Sequence, residues 1–434
     1  MKRNYNAVII GGGASGLACA IRAKLNDKSL KIAIIEKNDR VGKKLLATGN
    51  GRCNLTNKAV SPEKYIGSFK PKCDALLKKY DVEAVLGFFR SLGLLTRFDS
   101  EGRCYPRSNQ ASSVLDVLRF ACERLGVEIF CSQTIKTCRR ALSPAYPNCT
   151  DNNNVVDRRY QAVSHKVKKS GAEFCIKTET DEFYSQKLVI ACGSKAAPKL
   201  GGTAGGLDYL KNFGHNIVPF KPTLCPVRVK SDLLKSVKGL RAMGRVSLFD
   251  RGERLIKAES GEIQFTENAL SGICVFNLSL YNKDGYTISV DLFPENSDKE
   301  LLSLLKSNRK LFSTLSSDNI FTGSLHKRLA QLVLKTSGFS GFSKLCGELS
   351  DSELQAICRC AKGLRFKSCE CSDFSQAQCA SGGVLGSELD ENTMQSKKQK
   401  NLYVCGEVID LCGECGGYNL HFAFASGMTV GDNL

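Results

Sequence analysis

The sequence has 434 residues, of which 42% are hydrophobic and 24% are charged, and these ordinary globular proportions exclude a disordered chain. The net charge is +19, but no RNA-binding signature accompanies the basic residues, which favours a solvated basic surface over a nucleic-acid site. No apolar run reaches the roughly 18 residues that a membrane span needs.

The chain contains 21 cysteines, an odd number scattered through a long sequence. Secreted disulfide scaffolds are usually short and evenly paired, so we expect reduced thiols and a cytoplasmic protein. The apolar stretch from Ala7 to Ile21 resembles a signal peptide. Its three consecutive glycines, Gly11 to Gly13, suit a tight turn better than a leader helix. We predict no metal site.

The first predicted unit is a strand, a glycine turn, a helix and a second strand. The strands are expected at Asn6–Ile10 and at Lys31–Glu36, and the helix covers Leu17–Leu25. A βαβ unit of this length implies a parallel sheet with a right-handed crossover.

The turn carries a G-x-G-x-x-G pattern at Gly11, Gly13 and Gly16, followed twenty residues later by Glu36. The first glycine permits the turn, the second lets backbone approach a pyrophosphate, and the third allows close helix–strand packing. Glu36 is placed to accept hydrogen bonds from ribose hydroxyls, which favours FAD or NAD over NADP. The alternative is a glycine turn without a ligand.

The stretch TGNGRCNLTN, from Thr48 to Asn57, is a polar, glycine-rich segment shortly after the second strand. We expect its backbone to approach the extended dinucleotide, with Lys43, Lys44 and Arg52 balancing phosphate charge. A polar surface loop is the alternative.

Further elements alternate until residue 193, and then the character of the sequence changes. The predicted elements are a helix over 111–126, a strand over 127–131, a surface excursion over 139–165, a strand over 187–193, β-like runs over 216–292, helices over about 297–345 and a last strand over 401–407. This order indicates a nucleotide-binding domain that a long insertion interrupts.

Four segments together resemble one family. They are EKNDRVGKKLLATGNGRCNLTN, the stretch beginning LVIACGSKAAPKLGGTAGG, GEIQFTENALSG, and LYVCGEVIDLCGECGGYNLHFAFASG with ASGGV before it. The chain is similar to bacterial FAD-dependent oxidoreductases of the BaiN-like or aminoacetone-oxidase-like flavoprotein family. The resemblance implies an α/β fold, a Rossmann-like FAD-binding domain of the two-dinucleotide-binding-domain type with inserted β-barrel-like and helical domains.

The resemblance also implies domain boundaries and cofactor contacts. The FAD-binding domain is expected at 1–194 and 371–434, a β-rich substrate domain at 195–295 and 346–370, and a helical subdomain at 296–345. The residues that match the family's FAD-binding positions are Gly11, Gly13, Ala14, Ser15, Gly16, Glu36, Lys37, Lys44, Thr48, Gly49, Asn50, Gly51, Arg52, Cys53, Asn54, Ala191, Gly193, Gly406, Glu407, Gly417, Tyr418, Asn419 and Leu420.

Three departures from the family pattern bear on function. Cys192-Gly193-Ser194 stands where Thr-Gly-Gly is usual, and His421 stands where Gln is common, so no catalytic role for His421 is inherited. The segment LSGICVFNLS lacks the usual Gly-Pro step. No catalytic acid or base is assigned.

The expected activity is hydride transfer between flavin N5 and a small organic substrate, such as an unsaturated ketone, with NAD(P)H as a transient donor. The insertion contains no second G-x-G-x-x-G, so no dedicated nicotinamide domain is expected. An RNA-modifying flavoprotein and an FAD-bound protein without catalysis are the alternatives. The oligomeric state is not fixed by the sequence.

The C-x-x-C at Cys412 and Cys415 directly precedes the expected flavin-contacting segment. Such a pair can exchange electrons with a flavin. In a chain this rich in cysteine, close pairs arise by abundance, so we expect two reduced thiols packed beside the cofactor.

Overall fold

The computed structural model describes residues 1–141, 171–370 and 373–434. It divides the chain into two compact units, Met1–Pro222 with Gln378–Leu434, and Thr223–Ala377. The predicted surface excursion over 139–165 lies outside the described residues from residue 142 onward.

The secondary structure follows the alternation that the sequence predicts. The strands are β1 (Lys2–Ile10), β2 (Ile32–Ile35), β3 (Thr56–Asn57), β4 (Tyr65–Ile66), β5 (Thr96–Phe98), β6 (Arg103–Pro106), β7 (Glu128–Phe130), β8 (Thr137–Arg140), β9 (Phe174–Lys177), β10 (Glu182–Ile190), β11 (Ile217–Thr223), β12 (Val227–Arg228), β13 (Arg241–Phe249), β14 (Leu255–Phe265), β15 (Ala269–Ser271), β16 (Thr287–Asp291), β17 (Leu364–Lys367), β18 (Cys379–Val384), β19 (Leu402–Val404) and β20 (Cys412–Gly413).

The helices alternate with these strands in the first unit and cluster after β16 in the second. They are α1 (Ala14–Asn26), α2 (Lys43–Ala47), α3 (Cys73–Lys79), α4 (Val82–Ser91), α5 (Ala111–Arg124), α6 (Gly205–Asn212), α7 (Ile273–Ser279), α8 (Asp298–Leu311), α9 (Lys327–Thr336), α10 (Asp351–Lys362) and α11 (Tyr418–Gly431). In the part of the chain that the structure describes, none of them has the length and apolar character needed to cross a membrane.

The first unit is built on a seven-stranded sheet in the order β7-β2-β1-β10-β9-β8, with β19 also paired to β10. Strands β7, β2, β1, β10 and β19 pair in parallel, and β9 is antiparallel to β10. All four residues of β2, IAII, are buried. Continuous apolar strands of this kind are typical of parallel sheets that are covered on both faces. The parallel sheet predicted from the βαβ pattern is present.

Helix α11 packs against α1 at close range, because glycines on α11 face the backbone of α1. A Cβ atom at Gly427 would lie 2.3 Å from the carbonyl oxygen of Ser15, and one at Gly431 would lie 2.7 Å from that of Cys19. Nearly every residue of α11 is buried. A helix that is apolar on all sides belongs in the interior, and α11 supports α1 and its glycine turn from behind.

The second unit is an antiparallel sheet of six strands in the order β12-β15-β14-β13-β16-β17. A bridge between Val229 and Ser368 joins the two outer ends, so the sheet closes in the barrel-like form that was expected. Buried side chains of α8, α9 and α10 share one core with the strands, among them Leu301 and Val333 with Val246 and Ile288. The region expected as a separate helical subdomain, 296–345, is therefore part of one unit with the barrel.

The boundaries of the insertion lie later than the sequence analysis placed them. The first unit continues past residue 194 to Pro222 and resumes at Gln378 rather than at residue 371. The reason is packing: Leu207 and Leu210 of α6 are buried in the core of the first unit. Strand β11 also pairs with β18 of that unit.

Candidate functional site

A cavity of about 320 Å³ opens in the first unit at the carboxyl ends of β1, β2 and β10. The last residues of these strands or their immediate successors, Ile10, Ile35 and Ala191, line it. In open parallel sheets, ligands bind at this edge, where loops and helix N-termini converge. The residues around the cavity therefore form the candidate site.

At the centre of the cavity, the glycine turn brings the N-terminus of α1 close to the open space. Gly11 has a φ of +110°, and a Cβ atom there would lie 2.3 Å from the Ala191 carbonyl oxygen, so only glycine fits. Gly13 is the N-cap of α1 and makes no side-chain cap. A Cβ atom at Gly13 would meet nothing within 4 Å. The first amides of α1 therefore face space that a phosphate can enter.

In the wall of the cavity, Glu36 is held by three hydrogen bonds. The Gly12 amide donates to Oε2 at 2.9 Å, and the backbone and side-chain nitrogens of Asn38 donate to Oε1 at 2.8 and 2.7 Å. The residue is 8% exposed and lines the cavity. A carboxylate has about four acceptor positions, so this one keeps capacity for hydroxyl donors of a ligand.

Lys44 and Glu407, which also line the cavity, form an ion pair with Nζ 2.6 Å from Oε2. The Ala380 amide donates to the second oxygen, Oε1, at 3.1 Å. Burial acts most strongly on the pKa of Lys44 and lowers it, but the attraction of Glu407 and its neighbours outweighs burial, and the pKa is raised. The cavity thus carries a fixed ammonium group beside a fixed carboxylate.

The segment that begins at Thr48 turns sharply and only its first residue reaches the cavity. Asn50 and Cys53 have positive φ values of 55° and 60°, and the Cys53 amide donates to the Thr48 carbonyl at 3.0 Å. The Arg52 guanidinium lies 4.8 Å from the centre of the ring of Tyr105, a buried residue. Arg52 is exposed, so the structure places it on the surface rather than beside the phosphate position.

The segment before α11 is anchored by Asn419. Its side chain accepts from the Gly413 amide and donates to the Gly413 carbonyl, both at 2.8 Å. Gly417, the N-cap of α11, has a φ of +101°, and a Cβ atom there would lie 2.6 Å from the Thr56 carbonyl. Asn419 therefore fixes the loop as well as lining the cavity.

His421 does not line the cavity. It is fully buried, and its Nδ1 lies 2.8 Å from Oγ1 of Thr56. Burial lowers the pKa of His421 to about 4, so the ring is neutral near pH 7. This arrangement matches a histidine inside the core and gives it no part in the site.

The structure brings together about half of the residues predicted from the resemblance. Those that line the cavity are Gly11, Gly13, Ala14, Ser15, Glu36, Lys37, Lys44, Thr48, Ala191, Gly193, Glu407, Asn419 and Leu420. Those outside its lining are Gly16, Gly49, Asn50, Gly51, Arg52, Cys53, Asn54, Gly406, Gly417 and Tyr418. Several residues of the second group pack against residues that line the cavity. A Cβ atom at Gly406, for example, would lie 2.4 Å from Oγ of Ser15.

Sequence reasoning missed a second group of lining residues. They are Gly12, Asn38, Gly42, Leu45, Gln133, Thr134, Ile135, Cys192, Ser194, Leu200, Gly201, Gly202, Thr203, Gly205, Gly206, Tyr209, Gln378, Cys379, Leu411, Phe422 and Ala423, together with Ile10 and Ile35. Gln133 to Ile135 follow β7, which is parallel to β2. Because ligands bind at the carboxyl ends of parallel strands, these residues could have been predicted from the sequence. Cys379 lies in a segment with no motif that would single it out.

The cavity fits a dinucleotide. A glycine turn leaves room at a helix N-terminus, and an anchored carboxylate and a lysine line the same cavity. These groups match pyrophosphate, ribose and the far half of an extended ligand in their chemistry.

Comparisons with known proteins agree with this chemistry. The family model described as "HI0933-like protein Rossmann domain" matches residues 5–158 and 142–433. A relative from Clostridium scindens, 3-dehydro-bile acid delta(4,6)-reductase, is 31% identical over 98% of this chain and 97% of its own. A relative from Escherichia coli, ribosomal RNA dihydrouridine synthase, is 26% identical over 99% of this chain and 98% of its own.

A solved structure was also compared with the chain. The 3-ketosteroid-delta4-(5alpha)-dehydrogenase from Rhodococcus jostii RHA1 aligns with a TM-score of 0.47 and 13% sequence identity. The alignment covers 99% of this chain and 96% of that one.

Proposed function

The chain belongs to the HI0933-like Rossmann flavoprotein family, and we propose that it reduces a carbon–carbon double bond conjugated to a carbonyl group. Membership makes it an FAD-dependent oxidoreductase. The class of substrate is the proposal.

The support for this class is the chemistry shared by two relatives with different substrates. One is named a delta(4,6)-reductase of a 3-dehydro bile acid, and in such a compound the ring double bonds are conjugated to the 3-keto group. The other is named a dihydrouridine synthase, and the uracil double bond is conjugated to a ring carbonyl. In both, a hydride would add to an electron-poor carbon of the conjugated system and a proton would complete the saturated bond. An activated alkene is the feature that the two reactions have in common.

The residues of this chain that would hold FAD follow from the cavity. We propose that the amides after Gly13 bind the pyrophosphate, that Glu36 accepts from the adenosine ribose, and that Lys44, Thr48 and Asn419 line the flavin half. When bound, the reduced flavin supplies the hydride. Around it, the Lys44–Glu407 pair provides fixed charge that orients polar groups without solvent rearrangement.

We also propose NAD(P)H as the electron donor, bound transiently. The insertion carries no second glycine-rich dinucleotide motif, which argues against a dedicated nicotinamide domain. Mixing the oxidised protein with NADH or NADPH under anaerobic conditions tests this: bleaching of the flavin by either nucleotide supports the proposal, and none with both refutes it.

Reoxidation of the reduced protein tests the substrate class. The protein is photoreduced without oxygen and mixed with a steroid 4-en-3-one, with its saturated ketone as the matched control, and with quinones and amine-derived imines for comparison. We expect the flavin to be reoxidised by the enone and not by the saturated ketone. Reoxidation by amine-derived imines or quinones alone would contradict the proposal.

A uridine in RNA is the second candidate substrate. The observation that favours it is the net charge of +19 combined with the relative from Escherichia coli. Charge attracts a polyanion over long range and makes its binding dependent on salt. Filter binding to unmodified ribosomal RNA at two salt concentrations, followed by dihydrouridine analysis after incubation with the reduced protein, distinguishes it. Formation of dihydrouridine would identify RNA as the substrate, whereas tight binding without dihydrouridine would not.

A further inference from the structure

Two cysteines from separate segments of the first unit are in contact at the cavity. Strands β18 and β20 pack against each other, and the thiol of Cys379, the first residue of β18, lies close enough to interact with that of Cys412, the first residue of β20. Cys379 lines the cavity, whereas Cys412 lies directly behind it with 1% of its surface exposed. Neither residue is in a disulfide. The contact therefore places a reduced pair of thiols at the wall of the candidate FAD site.

Both cysteines stand on backbone that other groups hold in place. The amide of Ala380, next to Cys379, donates to Glu407 at 3.1 Å. Cys412 pairs with Ile66 of β4, and Asn419 hydrogen-bonds with both polar groups of the neighbouring Gly413. Because the backbone is fixed on both sides, the two sulfur atoms meet by construction of the fold. A disulfide would require the two sulfur atoms to come within about 2.05 Å of each other.

The charged groups around the pair belong to the end of the cavity assigned to the flavin half. Lys44 interacts electrostatically with both thiols, and Glu407 acts on Cys379. The pKa of Cys379 is raised well above its usual range, first by the hydrogen bond with Cys412 and then by burial. In the reduced protein, the Cys379 thiol is therefore neutral and lies beside the thiol of Cys412.

We propose that Cys379 and Cys412 are a redox pair that exchanges two electrons with the flavin. The inference rests on the proposed binding of FAD. In one direction, the two thiols form a disulfide and release two protons and two electrons, and FAD takes up both to become FADH2. In the other direction, FADH2 reduces the disulfide to two thiols. The pair differs from the C-x-x-C of the sequence, because the partner of Cys412 is Cys379 rather than the partly exposed Cys415.

Counting electrons tests the proposal. The FAD-loaded protein is oxidised with diamide, freed of the reagent and titrated with dithionite under anaerobic conditions. We expect about four electrons per FAD for the wild type, two for the flavin and two for the disulfide. Cys379→Ser and Cys412→Ser should each accept about two, and the matched control Cys415→Ser should accept about four. Cys379→Ala is a second variant that removes the pair without adding a polar group.

Peptide mapping of the same samples identifies the bond. A protease that cleaves after Glu releases Cys412 as the only cysteine of residues 408–414, and Cys379 together with Cys371 in residues 371–388, so fragment-ion spectra of the cross-linked peptides must assign the bond to Cys379. The cross-linked peptides are expected after diamide and should disappear when dithionite reduces the FAD-loaded protein, whereas in protein freed of flavin they should persist under the same treatment. A wild type that binds FAD but accepts about two electrons, without the cross-link, would overturn the redox pair alone. A protein without flavin absorbance at the start would overturn the proposed function as well.

Discussion

Glu36 is a buried carboxylate whose three hydrogen bonds come from the glycine turn and from Asn38, so its orientation does not depend on a ligand. Hydrogen bonds to an ionised group are worth about 1.5–3 kcal/mol each. Glu36→Gln keeps the shape and removes the charge, and we expect FAD affinity to fall about 10- to 100-fold. The measurement is a fluorescence titration of flavin-free protein with FAD. Glu63→Gln, at an exposed position of the same unit, is the control and should bind FAD like the wild type.

The Lys44–Glu407 pair is partly shielded from water, with side chains 30% and 19% exposed. Removing one partner leaves the other charge in the cavity, whereas removing both does not. We therefore expect Lys44→Met and Glu407→Gln to be non-additive, with a coupling of about 1–3 kcal/mol in the free energy of unfolding. Urea unfolding of the flavin-free single and double variants measures it. Additive losses would show that the pair contributes no net attraction.

His421 gives the protein a dependence of stability on pH. Its pKa is lowered by burial to about 4, below the value of about 6.5 expected in the unfolded chain. The unfolded state therefore binds a proton first as the pH falls below about 6.5, and stability is lost between there and about pH 4. From this residue we expect a loss of about 2 kcal/mol between pH 7.5 and pH 5.

The test compares urea unfolding at these two pH values for the wild type and for His421→Gln. Between pH 7.5 and pH 5, the free energy of unfolding should fall by about 2 kcal/mol less in the variant than in the wild type, since glutamine does not titrate. His326→Gln is the control, because His326 lies exposed at the start of α9. An equal acid sensitivity of wild type and His421→Gln would refute the assignment.

At the scale of elements, the packing of α1 against α11 affects both the free energy of unfolding and the cavity that α1 helps to line. A methyl group at Gly427 would lie 2.3 Å from the Ser15 carbonyl oxygen, so Gly427→Ala must push the two helices apart. We expect a loss of about 1–3 kcal/mol in the free energy of unfolding, and weaker FAD binding because Ser15 lines the cavity. Gly87→Ala in α4 has open space around it and should be neutral or stabilising. Thermal unfolding and FAD titration of both variants provide the comparison.

Elements with a strong local pattern were predicted well from the sequence. Strand β2 is a continuous apolar run with every residue buried, and α5 shows apolar residues at helical spacing, so the hydrophobic pattern decides both. Domain boundaries were predicted less well. Helix α6 and strand β11 follow a glycine-rich turn where the sequence changes character, and only their tertiary packing assigns them to the first unit.

Some features of the candidate site could likewise be predicted from the sequence, and others could not. The glycine turn and Glu36 were predicted because spacing along one βαβ unit fixes their positions relative to one another. The inward direction of Thr48 and the outward direction of Arg52 depend on positive φ values within the loop, which composition does not reveal. Cys379 and Cys412 lie on different strands and are brought together only by the tertiary fold, so no local sequence pattern predicts their contact.

At the scale of the whole molecule, the chain forms two units, each with its own core. The first unit alone contains every residue that lines the cavity, from Ile10 to Ala423. FAD binding should therefore survive without Thr223–Ala377, most of which the sequence predicts to be the substrate and helical domains. The position of the cut decides the outcome, because residues 195–222 are part of the core of the first unit.

We expect a variant in which a short Gly-Ser linker joins Pro222 to Gln378 to remain folded, to bind FAD and to lose turnover. The matched variant, joined from residue 194 to residue 371, lacks α6 and β11, and with them Leu207 and Leu210, which are buried in the core. Losing two buried leucines costs about 2–5 kcal/mol each, and β18 also loses its partner strand, so this variant should not fold. Circular dichroism, flavin content and enone reduction separate the two variants. Turnover in the first variant would place the substrate within the first unit, and equal folding of both would refute the boundary at Pro222.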